Sequence, residues 1–88
     1  MILKRRKSFL NDFRKVKLTD KQFEKFIIYT SLLKNGKPLP KQARDHKLQG
    51  NYLDCKEFHI GGDMLIMYLV KNNEIILLRI GSHSQLFN

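Results

Sequence analysis

The chain carries a single cysteine, Cys55, in 88 residues. That excludes a disulfide framework and a cysteine-based zinc cluster, and it suits a reducing cytosol. No apolar run approaches the ~18 residues that a membrane-spanning helix needs. The opening stretch MILKRRKSFL has charge with no apolar core behind it, so no signal peptide is expected. The expected location is cytoplasmic, with no membrane partner. Length excludes more. A chain this size keeps about 5,400 Å² exposed of roughly 15,000 Å² unfolded, so about 64% is buried around one small core. A two-domain enzyme, a Rossmann half with its own substrate domain and a barrel of parallel strands are all too large. A single domain over residues 1–88 is the expectation. Internal repeats, linkers and low-complexity segments are missing, and 42% hydrophobic residues argue against disorder.

Acidic residues are scarce. Eight Asp and Glu stand against seventeen Lys and Arg, for a formal net charge of +9. Residues 1–49 hold fourteen basic and four acidic side chains, a surplus of ten; residues 50–88 hold three and four, a deficit of one. A basic half joined to a near-neutral half is the electrostatic footprint of a polyanion binder, and nucleic acid is the commonest such partner. A solvated lysine-rich surface is the plainer reading.

Periodicity organises the chain. Residues 2–6 suit a short first strand. Ser8 is placed to cap a helix whose Phe9, Leu10, Phe13 and Val16 share one face. Thr19 and Gln22 form a capping box for a second helix, with Asp20 in its first turn and Phe23, Phe26, Ile27, Thr30 and Leu33 along one side. Asn35-Gly36 supplies a left-handed stop before Pro38. Residues 37–50 read as a loop. The period then changes to two, and residues 52–60, 64–70 and 74–80 read as three strands, turning at Gly61-Gly62 and at Lys71-Asn72-Asn73. Gly81 ends the last strand and a short tail follows. Short links force neighbouring antiparallel strands. The expectation is α+β in two layers: two N-terminal helices packed on a small twisted antiparallel sheet.

The three histidines, His46, His59 and His83, lie from residue 46 onward. His59 shares a strand face with Glu57. Asp63 follows the Gly61-Gly62 turn, and Arg79 precedes His83 by four residues. An antiparallel meander can bring these groups together. Histidine titrates near neutral pH, so it can take a proton from a ribose 2′-hydroxyl or give one to a departing 5′-oxygen. Arginine can hold the charge that builds on the phosphate. Ordinary surface histidines, with Arg79 paired to a nearby acid, are the plainer alternative. Three His and one Asp offer no compact zinc spacing, and no cofactor is expected.

At this point the residues resemble a known family. Asp45-His46-Lys47-Leu48-Gln49-Gly50, then Glu57-Phe58-His59, then Asp63, then Arg79-Ile80-Gly81-Ser82-His83-Ser84-Gln85-Leu86-Phe87 closely resemble the signature of YafQ-type toxins, a branch of the RelE/ParE superfamily of bacterial toxin–antitoxin systems. The resemblance spans essentially the whole chain, with its motifs in residues 45–87. It implies a RelE-like fold and a ribosome-dependent endoribonuclease that cuts mRNA in the ribosomal A site. It also implies a cognate, DinJ-like antitoxin. By position, His46, His59, Asp63 and His83 match the acid–base group, with Asp63 or His59 as base and His83 as acid. Arg79 matches the phosphate-stabilising arginine, Phe87 the aromatic that contacts the nucleotide, and Glu57 a rim carboxylate. Lys56 stands where the family carries arginine, keeping the charge without the bidentate fork. Cys55 replaces an aromatic, Gly61-Gly62 replaces acid-Pro, and Met64 replaces an aromatic or bulky apolar residue.

Phe9, Phe13, Phe23 and Phe26 read as core residues rather than base-stacking platforms, because their spacing is helical. Cys55 reads as a packed strand residue, since nothing adjacent in the sequence would activate it. The basic run Lys4-Arg5-Arg6-Lys7 suits rRNA phosphates, an acidic antitoxin segment or solvent equally. The alternative function is a non-enzymatic binder on the same scaffold, such as a gyrase inhibitor or a ribosome-binding protein. Such a binder would have no chemical need for the histidine–aspartate–arginine set.

Overall fold

The computed structural model describes residues 1–49 and 54–87. Strand β1 (Ile2–Arg5) leads into helix α1 (Lys7–Phe13), and helix α2 (Asp20–Lys34) follows. The capping box is present: Thr19 Oγ1 accepts from the Gln22 amide at 3.1 Å, and the Gln22 side chain accepts from the Thr19 amide at 3.0 Å. Gly36 takes φ +69°, and the Lys37 amide returns to the Leu32 carbonyl at 2.9 Å, which closes the helix. A 3-10 turn (Lys41–Ala43), a two-residue strand β2 (His46–Lys47), then β3 (Lys56–Gly61), β4 (Met64–Lys71), β5 (Glu74–Ser82) and a last helix α3 (His83–Phe87) complete the order.

Several expectations give way. Ser8 is not the cap of α1; Arg6 holds that position with no side-chain bond, and Ser8 Oγ instead donates to the Leu78 carbonyl at 2.6 Å. The stretch expected as loop contains the 3-10 turn and β2. The last strand runs through Gly81 to Ser82, and the expected tail is helical because Ser82 and Gln85 cap it reciprocally, at 2.8 and 3.2 Å. The start of the expected strand 52–60, as well as Gly50 and Asn88, lies outside the described residues.

The sheet order is β1-β5-β4-β3-β2. The strands from β2 to β5 pair antiparallel, as the tight turns between β3 and β4 and between β4 and β5 require of those strands, but β1 pairs parallel with β5. The sheet is therefore mixed and not purely antiparallel. A tight turn dictates the direction only of the strands it joins. β1 is joined to the rest through two helices, and a crossover of that length permits a parallel partner. At the β4–β5 turn Asn72 and Asn73 both take positive φ, at 52° and 61°, the backbone of a tight two-residue hairpin.

Alternation along the strands divides the sheet into two faces. Phe58, Ile60, Ile66, Tyr68, Ile75, Leu77 and Ile80 form one core with Phe9, Tyr29 and Leu33 of α1 and α2. Each large side chain buried there contributes about 1.5–3 kcal/mol. Phe9 stacks on both Phe13 and Phe26, and those two rings meet at a tilt, with centroids 5.5–6.1 Å apart throughout. Phe23, expected in the core, is 50% exposed, because the buried stripe of α2 runs through Phe26, Tyr29, Thr30 and Leu33 and leaves Phe23 and Ile27 on its flank. The opposite sheet face buries a smaller cluster, Leu65, Met67, Leu78 and Leu86, the last supplied by α3. That less covered face carries the polar residues described next.

Candidate active site

Alternation decides which polar groups meet. Phe58 and Ile60 point into the helix-side core, so Glu57 and His59 point to the other face. In the ladder His46 lies opposite Glu57, Glu57 opposite Met67, and Met67 opposite Arg79. One row thus crosses four strands. The next row is His59, Leu65 and Gly81.

Glu57 is the centre of the first group. Its side chain is 5% exposed, and its carboxylate meets His59 Nε2 at 2.8 Å and His46 Nε2 at 3.8 Å. The two imidazole rings lie nearly parallel, with centroids 6.3 Å apart. The partners assign the tautomers. An ionised carboxylate only accepts, so His59 carries its hydrogen on Nε2, and Nδ1 is the basic nitrogen of the neutral ring. His46 Nδ1 lies 2.5 Å from the Arg44 carbonyl and donates to it. Arg44 itself sits at φ 49° and brings Nη2 within 3.5 Å of His59 Nε2; with the Nε2 hydrogen on the closer Glu57 carboxylate this is a contact of two donors and not a hydrogen bond.

The residue before His46 is anchored from the other side of the sheet. Asp45 accepts a short hydrogen bond from the buried Tyr68 hydroxyl and pairs with Lys56 Nζ at 3.3 Å. Burial, and then the hydrogen bond and charge of Asp45, push the Tyr68 phenol well above its usual range, so it stays a donor. Lys56, expected at the substrate, lies over the Tyr68 ring, 5.7 Å from its centroid. It therefore belongs to the helix-side face and braces Asp45. Cys55 is partly buried against the smaller cluster. Burial and the Asp54 charge push its thiol up, against a smaller opposing effect of Arg6.

The second group lies across the sheet. Helix α3 starts where β5 ends, which places His83 and Phe87 one turn apart with ring centroids at 4.8 Å. A Cβ on Gly81 would stand 3.0 Å from Gln85 Oε1 and 3.1 Å from Leu86 Cδ2, so α3 packs closely on the bare backbone there and a side chain would push Gln85 and Leu86 aside by a few tenths of an ångström. Arg79 makes a bidentate pair with Asp12 of α1, at 2.5 and 3.1 Å. Asp63 is exposed in the β3–β4 turn, one residue before Met64, whose ladder partner Ser82 is one residue before His83. The register therefore brings Asp63 and His83 to the same end of the sheet. His59 and Gly81 are two ladder steps apart, about 10 Å at the usual spacing, with Leu65 between them. Among the described residues no group of three or more His, Cys, Asp or Glu is placed to hold a metal ion.

The family model described as a bacterial toxin of type II toxin–antitoxin systems, YafQ, matches residues 1–88. The chain belongs to the YafQ toxin family. It is similar to the mRNA interferase toxin YafQ of Escherichia coli strain K12, 32% identical over 60 residues that cover 68% of this chain and 65% of that protein. The match thus spans about two thirds of that relative's length. Two solved structures share the fold over 98% of this chain. A copper-bound mutant toxin from Helicobacter pylori is 40% identical, with TM-score 0.83 and 98% of its chain covered. The toxin of the E. coli DinJ–YafQ complex is 25% identical, with TM-score 0.82 and 97% covered. No helix among the described residues is long and apolar enough to cross a membrane.

Within this YafQ-family chain, the structure groups His46, Glu57 and His59 on one side of the face and Arg79, His83 and Phe87 on the other, with Asp63 at the turn beside His83. Two contributors were not singled out from the sequence. Arg44 is an ordinary basic residue until its left-handed backbone places its carbonyl on His46. Asp12 sits 67 residues from its partner Arg79, beyond the reach of any local spacing rule. The capping box Ser82–Gln85 was a local signal, and it would have disclosed α3.

Proposed function

We propose that this chain, as one toxin domain over residues 1–88, is an endoribonuclease of a type II toxin–antitoxin pair that cuts mRNA in the ribosomal A site without a metal. The observation that carries the reading is the placement of two histidines on either side of one sheet face: His59 held by the buried Glu57 on one side, and His83 on Phe87, at the end of the strand that carries Arg79, on the other.

The chemistry follows from those positions. His59 Nδ1 takes the proton of the ribose 2′-hydroxyl, and Glu57 at Nε2 steadies the imidazolium that forms. The 2′-oxygen attacks the adjacent phosphorus. Arg79 offsets the extra negative charge on the phosphate oxygens. His83 gives a proton to the departing 5′-oxygen, and Phe87 packs on the His83 ring and contacts the nucleotide. His46 is a second imidazole on the Glu57 carboxylate, and Asp63 a carboxylate at the lip that can share the role of base. The products are a 2′,3′-cyclic phosphate upstream and a 5′-hydroxyl downstream. The ribosome holds the three reacting atoms in line, which a flexible free message does not do, and the basic half of the chain supplies sequence-independent phosphate contacts.

Such a nuclease, at work in the cytoplasm, needs restraint. Its partner in this reading is a DinJ-like antitoxin with an acidic or amphipathic segment that covers part of the basic surface. The test is induced expression with mapping of mRNA 5′ ends, in wild type and in His83→Ala. The wild type should give codon-phased cuts with 5′-hydroxyl ends, and His83→Ala should slow them about 10²–10⁴-fold, the usual worth of a positioned general acid. Arrested growth with no new 5′ ends would mean that the chain acts by binding, and a message with a 2′-deoxy scissile nucleotide that is still cut would overturn the mechanism.

A further inference from the structure

Strand β5 carries an extra residue where it passes the candidate site. Met67 pairs with Arg79, and Tyr68 pairs with Leu77, so Leu78 has no opposite number on β4. A bulge of this kind takes backbone groups out of the ladder and re-aims the side chains beside it. Helix α1 supplies the partners. Ser8 Oγ donates to the Leu78 carbonyl at 2.6 Å, and Asp12 Oδ2 accepts from the Ile80 amide at 3.2 Å. Ser8 and Asp12 are four residues apart and so lie on one helix face. The same Asp12 carboxylate grips Arg79, Oδ2 to Nε at 2.5 Å and Oδ1 to Nη2 at 3.1 Å. The Asp12 side chain is 16% exposed and that of Arg79 39%. The anchor is therefore mostly inside, and the Arg79 side chain is partly reachable from solvent.

We propose that Asp12, with Ser8 one turn before it, is a positioning residue: it holds the β5 bulge and fixes the plane of the Arg79 guanidinium toward the scissile phosphate. The inference rests on the ribonuclease reading above. A bidentate carboxylate defines the orientation of a guanidinium as a single hydrogen bond does not. Two of the five N–H donors of Arg79 go to Asp12. The ordering of a long side chain is then complete before substrate arrives, and rate rather than affinity carries the benefit.

The test is a double-mutant cycle of Asp12→Ala and Arg79→Ala, read by single-turnover cleavage on programmed ribosomes, ribosome binding and thermal melting. Asp12→Ala should lower the cleavage rate about 10²-fold, the cost of an ångström-scale misplacement, with ribosome affinity nearly unchanged. In the Arg79→Ala background it should cost less than about twofold, because its effect passes through the arginine. An equal loss in both backgrounds would overturn the proposal and make Asp12 a structural anchor. Should Asp12→Ala fail to fold, Asp12→Asn retains one acceptor and removes the charge, and its loss must likewise vanish in the Arg79→Ala background. A wild type that cuts while both Asp12 variants cut equally fast refutes positioning alone. A wild type that cuts no ribosome-bound message refutes the ribonuclease reading, and the proposal with it.

Discussion

Replacing Glu57 by glutamine tests the site at its most buried point. The substitution keeps the shape and removes the charge. In the wild type the carboxylate is 2.8 Å from His59 Nε2 and 3.8 Å from His46 Nε2. A hydrogen bond to a charged group is worth about 1.5–3 kcal/mol net. The closer contact gains most as His59 becomes cationic in the transition state, so most of that value is lost from the barrier. At 1.36 kcal/mol per decade, the rate should fall roughly 10- to 150-fold. The amide that replaces the carboxylate can also donate to Nε2, which would put the ring hydrogen on Nδ1 and block the base outright, so the loss can exceed this range. Single-turnover cleavage of A-site mRNA on purified programmed ribosomes is the assay, with ribosome binding measured in parallel. Binding should hold, because Glu57 faces two histidines and carries little of the surface field. A Glu57→Gln variant that cleaves within about twofold of wild type would refute the claim that Glu57 orients His59.

Two further outcomes follow from the same geometry. Tyr68→Phe removes the hydrogen bond to Asp45 from a fully buried site and should cost about 1.5–3 kcal/mol in urea unfolding; an unchanged midpoint would show that Lys56 alone holds Asp45. Cys55, whose thiol is pushed above its ordinary 9.0 by burial first, should react slowly with thiol reagents at neutral pH. The fold keeps that proton to higher pH than the unfolded chain does, so its favourable contribution is complete below about pH 9 and fades as pH rises through the folded value. Labelling at the rate of a free thiol at pH 7 would contradict the burial.

Local rules were enough for much of this chain. Thr19 and Gln22 cap α2, Asn35-Gly36 ends it, and short polar turns make the later strands a meander, because each of these effects acts within a few residues of itself. The alternation around Phe58 likewise placed Glu57 and His59 on one face, and the motifs of residues 45–87 carried the resemblance to the YafQ family. Tertiary structure decided the rest. The parallel pairing of β1 with β5 depends on where a helical crossover lands, which no turn residue encodes. The buried stripe of α2 runs through Tyr29 and not Phe23, because the sheet sets the helix's rotation. Strand alternation already turns Lys56 away from Glu57, but only the fold brings Asp45 to meet it on the far side. Asp12 and Arg79 meet across 67 residues only because α1 packs on a bulge in β5. Contacts of that separation are set by packing of whole elements, and packing is a property of the folded chain rather than of any stretch of it.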